Sequence, residues 1–192
     1  LAFSDKSMAD AEMRMEYFYE TLSRVDARIA GLVLDVGPVI GDPDRYLRAF
    51  DEAMSDDFNF TMAIGGLSAL FVDMNVLLDK PPVKDKVMVG RTLSKLRNIV
   101  TDVSKVLGIL TEASGAWLMS HRDRLVRQRH IDVDQIQKLM TDRQAARAAK
   151  DWKRSDALRD ELKCLGVEIM DTAGGTTWKV LAVSPETERS QI

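Results

Sequence analysis

The chain has 192 residues, enough for one or two domains with a sizeable core. Hydrophobic residues make up 45%, charged residues 30% and aromatics only 6%, with five prolines. That balance fits a largely helical protein and is poor in aromatics for a β-sandwich or barrel. The net charge of −3 averages an acidic part, residues 1–120 with 13 Lys/Arg against 18 Asp/Glu, and a basic segment, residues 121–165 with 12 against 8. The basic segment is compatible with a localised polyanion contact.

In chain order, Ser4 is a candidate N-cap for a long amphipathic helix carrying Met8, Ala11, Met15, Phe18, Leu22, Val25 and Ile29 at helical spacing. The stretch "GLVLDVGPVIGD" is a loop. Asp42-Pro43 then reads as a cap followed by proline at the first helical position, opening a short helix through Tyr46, Leu47, Phe50 and Met54. "SDDFN" ends that helix. Asn59 caps the next, which holds Met62, Ile64, Leu67, Leu70, Phe71, Met74 and Leu77 and stops at "DKPP". A fourth helix runs from Val87 to Leu107 and ends at Gly108. Four apolar-faced helices with short loops predict an antiparallel bundle over residues 1–110.

A composition shift follows, with two glycines and then basic residues, so residues 111–131 read as a basic linker. Asp132 with Gln135 resembles a capping box, and opens a helix with Ile136, Leu139 and Met140. "KDW" restarts a second helix, whose buried stripe is Leu158, Leu162 and Leu165 and which Gly166 ends. "VEIMD" and "TTWKVLAV" alternate around "TAGG" and predict a β-hairpin. Residues 132–181 thus form a small helical hairpin with a C-terminal β-hairpin, and 182–192 a polar tail expected to be disordered. The expected fold class is mainly α.

No phosphate loop, dinucleotide fingerprint or CxxC occurs, and no catalytic centre or metal site is expected. His121 and His130, nine apart, read as solvated linker residues, and Asp56-Asp57 as helix punctuation. Cys164, the single cysteine, excludes an internal disulfide and suits a reducing compartment. No unbroken 18-residue apolar run is present, so no membrane span is expected. The N-terminus lacks the basic and apolar regions of a signal peptide and begins at Leu1, which predicts a piece of a longer protein.

The chemistry concentrates in "ARAAKDWKRSDALRDELKCLGVEIMDTAGGTTWKV". Arg143 and Arg147 are i, i+4 neighbours on one helix, Trp152 and Asp156 on the next, and Asp171 lies on the following strand. At about 100° per residue, Trp152 and Asp156 point away from the Leu158 stripe. One reading is an interhelical salt-bridge lattice with Trp152 bridging the two helices, its exposed pairs worth ~0–1 kcal/mol each. The other is a platform for unpaired bases. An aromatic face stacks a base for ~1–3 kcal/mol. Arg and Asp read base edges with similar discrimination, and single-stranded RNA loops present such bases.

The stretch from Arg143 to Trp178 resembles the C-terminal region of bacterial cysteinyl-tRNA synthetases. It matches at Arg143, Arg147, Lys150, Asp151, Trp152, Asp156, Arg159, Asp160, Leu162, Gly166, Asp171, Thr172, Gly175, Thr176 and Trp178. "AFDEAMSDDFN" resembles the family's helical-bundle domain of the DALR type, where the family's Thr-Pro after Phe-Asn is Phe60-Thr61 here. "LSKLRNIVTDVSKVLGIL" fits the following helix, and "LAFSDKSM" the start of the bundle. The resemblance implies the tRNA-handling C-terminal part of an ATP-dependent cysteine–tRNA ligase. ATP and zinc would belong to a catalytic domain that this chain lacks, so the chain alone should be inactive. The implied partner is tRNA(Cys), the location cytoplasmic, and the state monomeric. By the matched positions, Arg147, Trp152, Asp156 and Asp171 would contact the GCA anticodon. Arg143, Lys150 and Arg159 would hold RNA backbone or orient the aspartates. Thr172–Thr176 would set Asp171, and Trp178 would be hairpin core. The alternative is a helical interaction or scaffold module without RNA readout.

Overall fold

A computed structural model describes residues 4–172 and 175–181 of the chain. Its elements are α1 (Asp5–Ile29), α2 (Arg45–Ser55), α3 (Phe60–Asp79), α4 (Lys86–Leu107), α5 (Ser114–Gln128), α6 (Val133–Ala148), α7 (Trp152–Cys164), β1 (Val167–Thr172) and β2 (Gly175–Val180). The fold is mainly α, as the patterning predicts. Two compact units divide inside α5: residues 10–118, and, among the described residues, 119–172 and 175–181 together with 4–9.

The first unit is a helical bundle closed by apolar faces. Phe18, Leu22 and Val25 of α1, Phe50 and Ala53 of α2, Leu67, Leu70, Phe71 and Met74 of α3, and Leu93, Leu96 and Val100 of α4 form one buried cluster. Phe18 stacks on Phe71 with centroids 4.1 Å apart. Met8 and Ala11 of the expected α1 stripe are exposed, so the buried stripe begins only at Met15. Trp117 and Leu118 of α5 pack on the same core, and Trp117 stacks on Tyr19 at 4.3 Å.

Helix ends follow local chemistry, with one correction. Asn59 accepts from Met62 N–H at 3.1 Å, Asp85 from Val87 and Met88, and Gly108 ends α4 at a φ of 68°. The helix expected from Asp42-Pro43 starts instead at Arg45, and Asp42-Pro43 forms a turn before it. The Asp42 carboxylate pairs with Arg48 and the Asp44 carboxylate with Lys95, so neither side chain caps α2. Gly90 serves packing: a Cβ there would meet Leu32 Cδ1 at 2.7 Å, so the bare helix surface admits the loop leucines.

By length and composition α3 could cross a membrane, although Asp73 and Asn75 keep its sequence from being an unbroken apolar run. Six of its residues lie buried in the bundle, and its interruptions are engaged: Asp73 with Arg45 and Tyr46, Asn75 with Arg24, Tyr17 and Thr21.

The second unit builds a smaller core from Ile136, Leu139, Leu162, Val167 and Ile169, flanked by Leu158, Leu165 and Trp178. Asp132 caps α6 through Gln135 N–H and Asp151 caps α7 through Arg154 N–H, both at 3.1 Å. Gly166 leaves α7 at a φ of 79°, a left-handed turn that glycine adopts without strain. The β-hairpin is antiparallel, pairing Val167 with Val180, Ile169 with Trp178 and Asp171 with Thr176. Residues 173–174 of the turn and the expected tail 182–192 lie outside the described residues. Residues 114–128, read from composition as a linker, form α5, which buries His121 and Leu125. Arg122 lies over the Trp178 ring at 4.9 Å, and Arg129 donates to the Leu181 carbonyl.

Leu93→Ala, at a fully buried site of the bundle, should cost about 2–5 kcal/mol in denaturant unfolding. Leu162→Ala, equally buried, should cost as much and be read by exchange protection of β1 amides.

Candidate nucleic-acid interface

Period-two alternation along β1 sends Val167, Ile169 and Asp171 to one face of the hairpin. The first two are core residues, so Asp171 occupies the third inward position, over α6. Two arginines one turn apart on α6 meet it there. Arg143 donates from one terminal nitrogen to Oδ1 at 3.3 Å and from the other to Oδ2 at 3.1 Å. Arg147 donates to Oδ2 at 2.7 Å, and the Thr176 hydroxyl, directly across the hairpin, donates to Oδ1 at 2.9 Å. These four bonds fill the acceptor capacity of the carboxylate.

The Arg143 guanidinium beside Asp171 holds its carboxyl well below the usual range, with the Thr176 hydroxyl adding to the effect. Arg143 is 6% exposed, and its Nε has no hydrogen-bond partner among the described residues, so its charge relies on Asp171. Arg147 is half exposed at its side chain, and its other guanidinium donors make no protein contact among the described residues.

The remaining residues singled out from sequence stand differently. Trp152, first residue of α7, is 59% exposed, so its ring is not a bridge inside the two-helix core. Asp156, one turn on, is exposed and its carboxylate has no partner among the described residues. It lines a groove of about 400 Å³ between α7 and β1, with Arg159, Lys163, Val167, Glu168 and Ile169. Arg159 shares that groove, whereas Lys150 sits in the α6–α7 turn at a φ of 60°. The structure therefore joins Arg143, Arg147 and Asp171 in one lattice, and sets Trp152 and Asp156 apart from it on the free surface of α7. Sequence reading missed the bond from Thr176 to the aspartate, although the hairpin register makes the two direct partners. It also missed Arg122 on Trp178, for which local spacing offers no signal.

Because the folded-state pKa of Asp171 is depressed, its stabilisation is complete above the ordinary carboxylate range and is lost as pH falls toward the folded value. Asp171→Asn should lower stability at neutral pH by about 1–3 kcal/mol, through the unpaired Arg143 charge. It should also flatten the stability loss seen below about pH 4 in acid unfolding curves.

Two family models match in chain order: the DALR domain over residues 49–111 and the cysteinyl-tRNA ligase anticodon binding domain over residues 133–178. The chain is 37% identical over 178 residues to a cysteine–tRNA ligase of Anaeromyxobacter dehalogenans (strain 2CP-C), covering 93% of this chain and 36% of that protein. It is 33% identical over 183 residues to that of Nitratidesulfovibrio vulgaris (strain Hildenborough), covering 93% and 38%, and 33% over 193 residues to that of Geotalea uraniireducens, covering 94% and 39%. The chain spans a little over a third of the length of these curated relatives. With a DALR domain followed by an anticodon-binding domain, and with relatives of one kind matched along nearly all its residues, the chain belongs to the cysteinyl-tRNA synthetase family.

Proposed function

We propose that the chain is the tRNA-handling part of an ATP-dependent cysteine–tRNA ligase of the cytoplasm, acting as a monomer and reading the GCA anticodon of tRNA(Cys). The helical bundle, residues 1–110, positions the anticodon-binding part, residues 132–181, and being acidic adds little RNA affinity of its own. The observation that carries this reading is the split within the site. One aspartate is saturated by protein donors, while an exposed indole and an unpartnered carboxylate face solvent one helical turn apart.

In this reading Arg143 and Thr176 orient Asp171, which fixes the Arg147 guanidinium with donors left over for the acceptor edge of a base. Asp171 meets the anticodon as part of that fixed pair. Asp156 accepts from amino or imino groups of a second base, Trp152 stacks a third, and Arg159 and Lys150 face the backbone. The zinc and ATP that the family implies are assigned in this reading to the remainder of the parent enzyme; among the described residues no group of three His, Cys, Asp or Glu side chains could hold a metal ion. The chain's contribution is binding and orientation of the tRNA rather than activation of cysteine.

The reading is tested by titrating labelled tRNA(Cys) against the same tRNA with a changed anticodon. The matched tRNA should bind more tightly by about 1–3 kcal/mol per altered base contact. Equal affinity for both would instead favour a scaffold module without RNA readout. Asp156→Ala should lose that discrimination while its circular dichroism stays that of the parent chain.

A further inference from the structure

Eight consecutive residues, 147–154, are exposed between buried Ala146 and buried Ser155: the end of α6, the turn 149–151 and the first residues of α7. They hold four cations, Arg147, Lys150, Lys153 and Arg154, against one carboxylate, Asp151, which is occupied in accepting from the Arg154 N–H. In the bundle, by comparison, Arg24, Arg48, Arg91, Lys95 and Arg97 each hold an aspartate. At the turn, the side chains of Lys150, Lys153 and Arg154 make no hydrogen bond or ion pair among the described residues. Exposed Trp152 lies between Lys150 and Lys153 along the chain.

We infer that this turn is a backbone clamp for single-stranded RNA, in which Lys153 and Arg154 join Lys150 in gripping phosphates on either side of a nucleotide stacked on Trp152. The inference rests on the anticodon-reading proposal and divides its labour: Arg147 and Asp156 specify, and the turn holds. Unpaired cations around an aromatic face are the pattern by which proteins hold unstacked strands. These cations break no protein ion pair on binding, and each phosphate they neutralise releases counterions to the solvent. Lysine is a mobile point charge without the planar fork that reads a base edge, so Lys150 and Lys153 suit phosphates better than bases. An indole in open water exposes apolar surface that stacking would cover.

The test uses the full chain and a stem–loop RNA carrying the GCA anticodon, with affinity measured across a series of NaCl concentrations. In the K153Q/R154Q double variant the plot of log affinity against log salt should become shallower by about 0.7 for each lost contact. Affinity at low salt should fall several-fold, while preference over a stem–loop with a changed anticodon is kept. An unchanged slope, or lost preference with an unchanged slope, would overturn the clamp. A charge-conserving variant, K153R/R154K, should retain the parent slope, and a loss there would mean that the turn had been distorted, which also overturns it. If the parent chain shows no preference between the two loops yet the double variant still flattens the slope, the anticodon reading fails and the clamp stands.

Discussion

The C-terminal unit depends on how one buried arginine is neutralised. Arg143 projects from α6 into a place where only 6% of its surface meets solvent, and a guanidinium there is costly unless its charge is matched at close range. Asp171 supplies the match from the third inward position of β1, a place that alternation would give to an apolar side chain. The strand therefore cannot slip by one residue, since a slip would turn Asp171 outward and leave Arg143 bare. Register, hairpin docking and the direction of Arg147 all follow from that one pairing.

The bundle solves its problem in another way. Its ion pairs sit on the surface, where each is worth ~0–1 kcal/mol, and its cohesion comes from apolar faces closing on Phe18, Phe71, Met74 and Leu93. Polar groups on α3 are tied off by neighbours: Tyr46 donates to Asp73 at 2.6 Å, and burial with that bond raises the phenol pKa. In the bundle several charges are spent on one another, as in the Arg24–Asp79 and Lys95–Asp44 pairs. In the C-terminal unit some are spent, as in the Arg143–Asp171 lattice, and others, at the α6–α7 turn, are left for solvent or a ligand.

α5 shows how a composition shift misleads. Glycines and a crowd of arginines read as a linker because local composition carries no record of distant partners. Trp117 and Leu118 find the bundle core, and Arg122 finds the Trp178 ring 56 positions along the chain. Trp178 is accordingly half-buried hairpin core, as its place opposite Ile169 requires.

What the sequence by itself determined is the local grammar: the helices, most of their caps, the hairpin, and Leu158, Leu162 and Leu165 as the inner stripe of α7. These follow from spacing and from backbone groups satisfied within a few residues. It also brought the right residue types to one short stretch, since i, i+4 spacing is enough to pair Arg143 with Arg147 and Trp152 with Asp156. Only the tertiary structure decided their partners. Asp171 belongs with the arginines rather than with Asp156, because strand register and helix packing, neither of which is local, set which carboxylate lies within 3 Å or so of which guanidinium. Trp152 stays in the open because it opens α7 on the face away from the Leu158, Leu162 and Leu165 stripe.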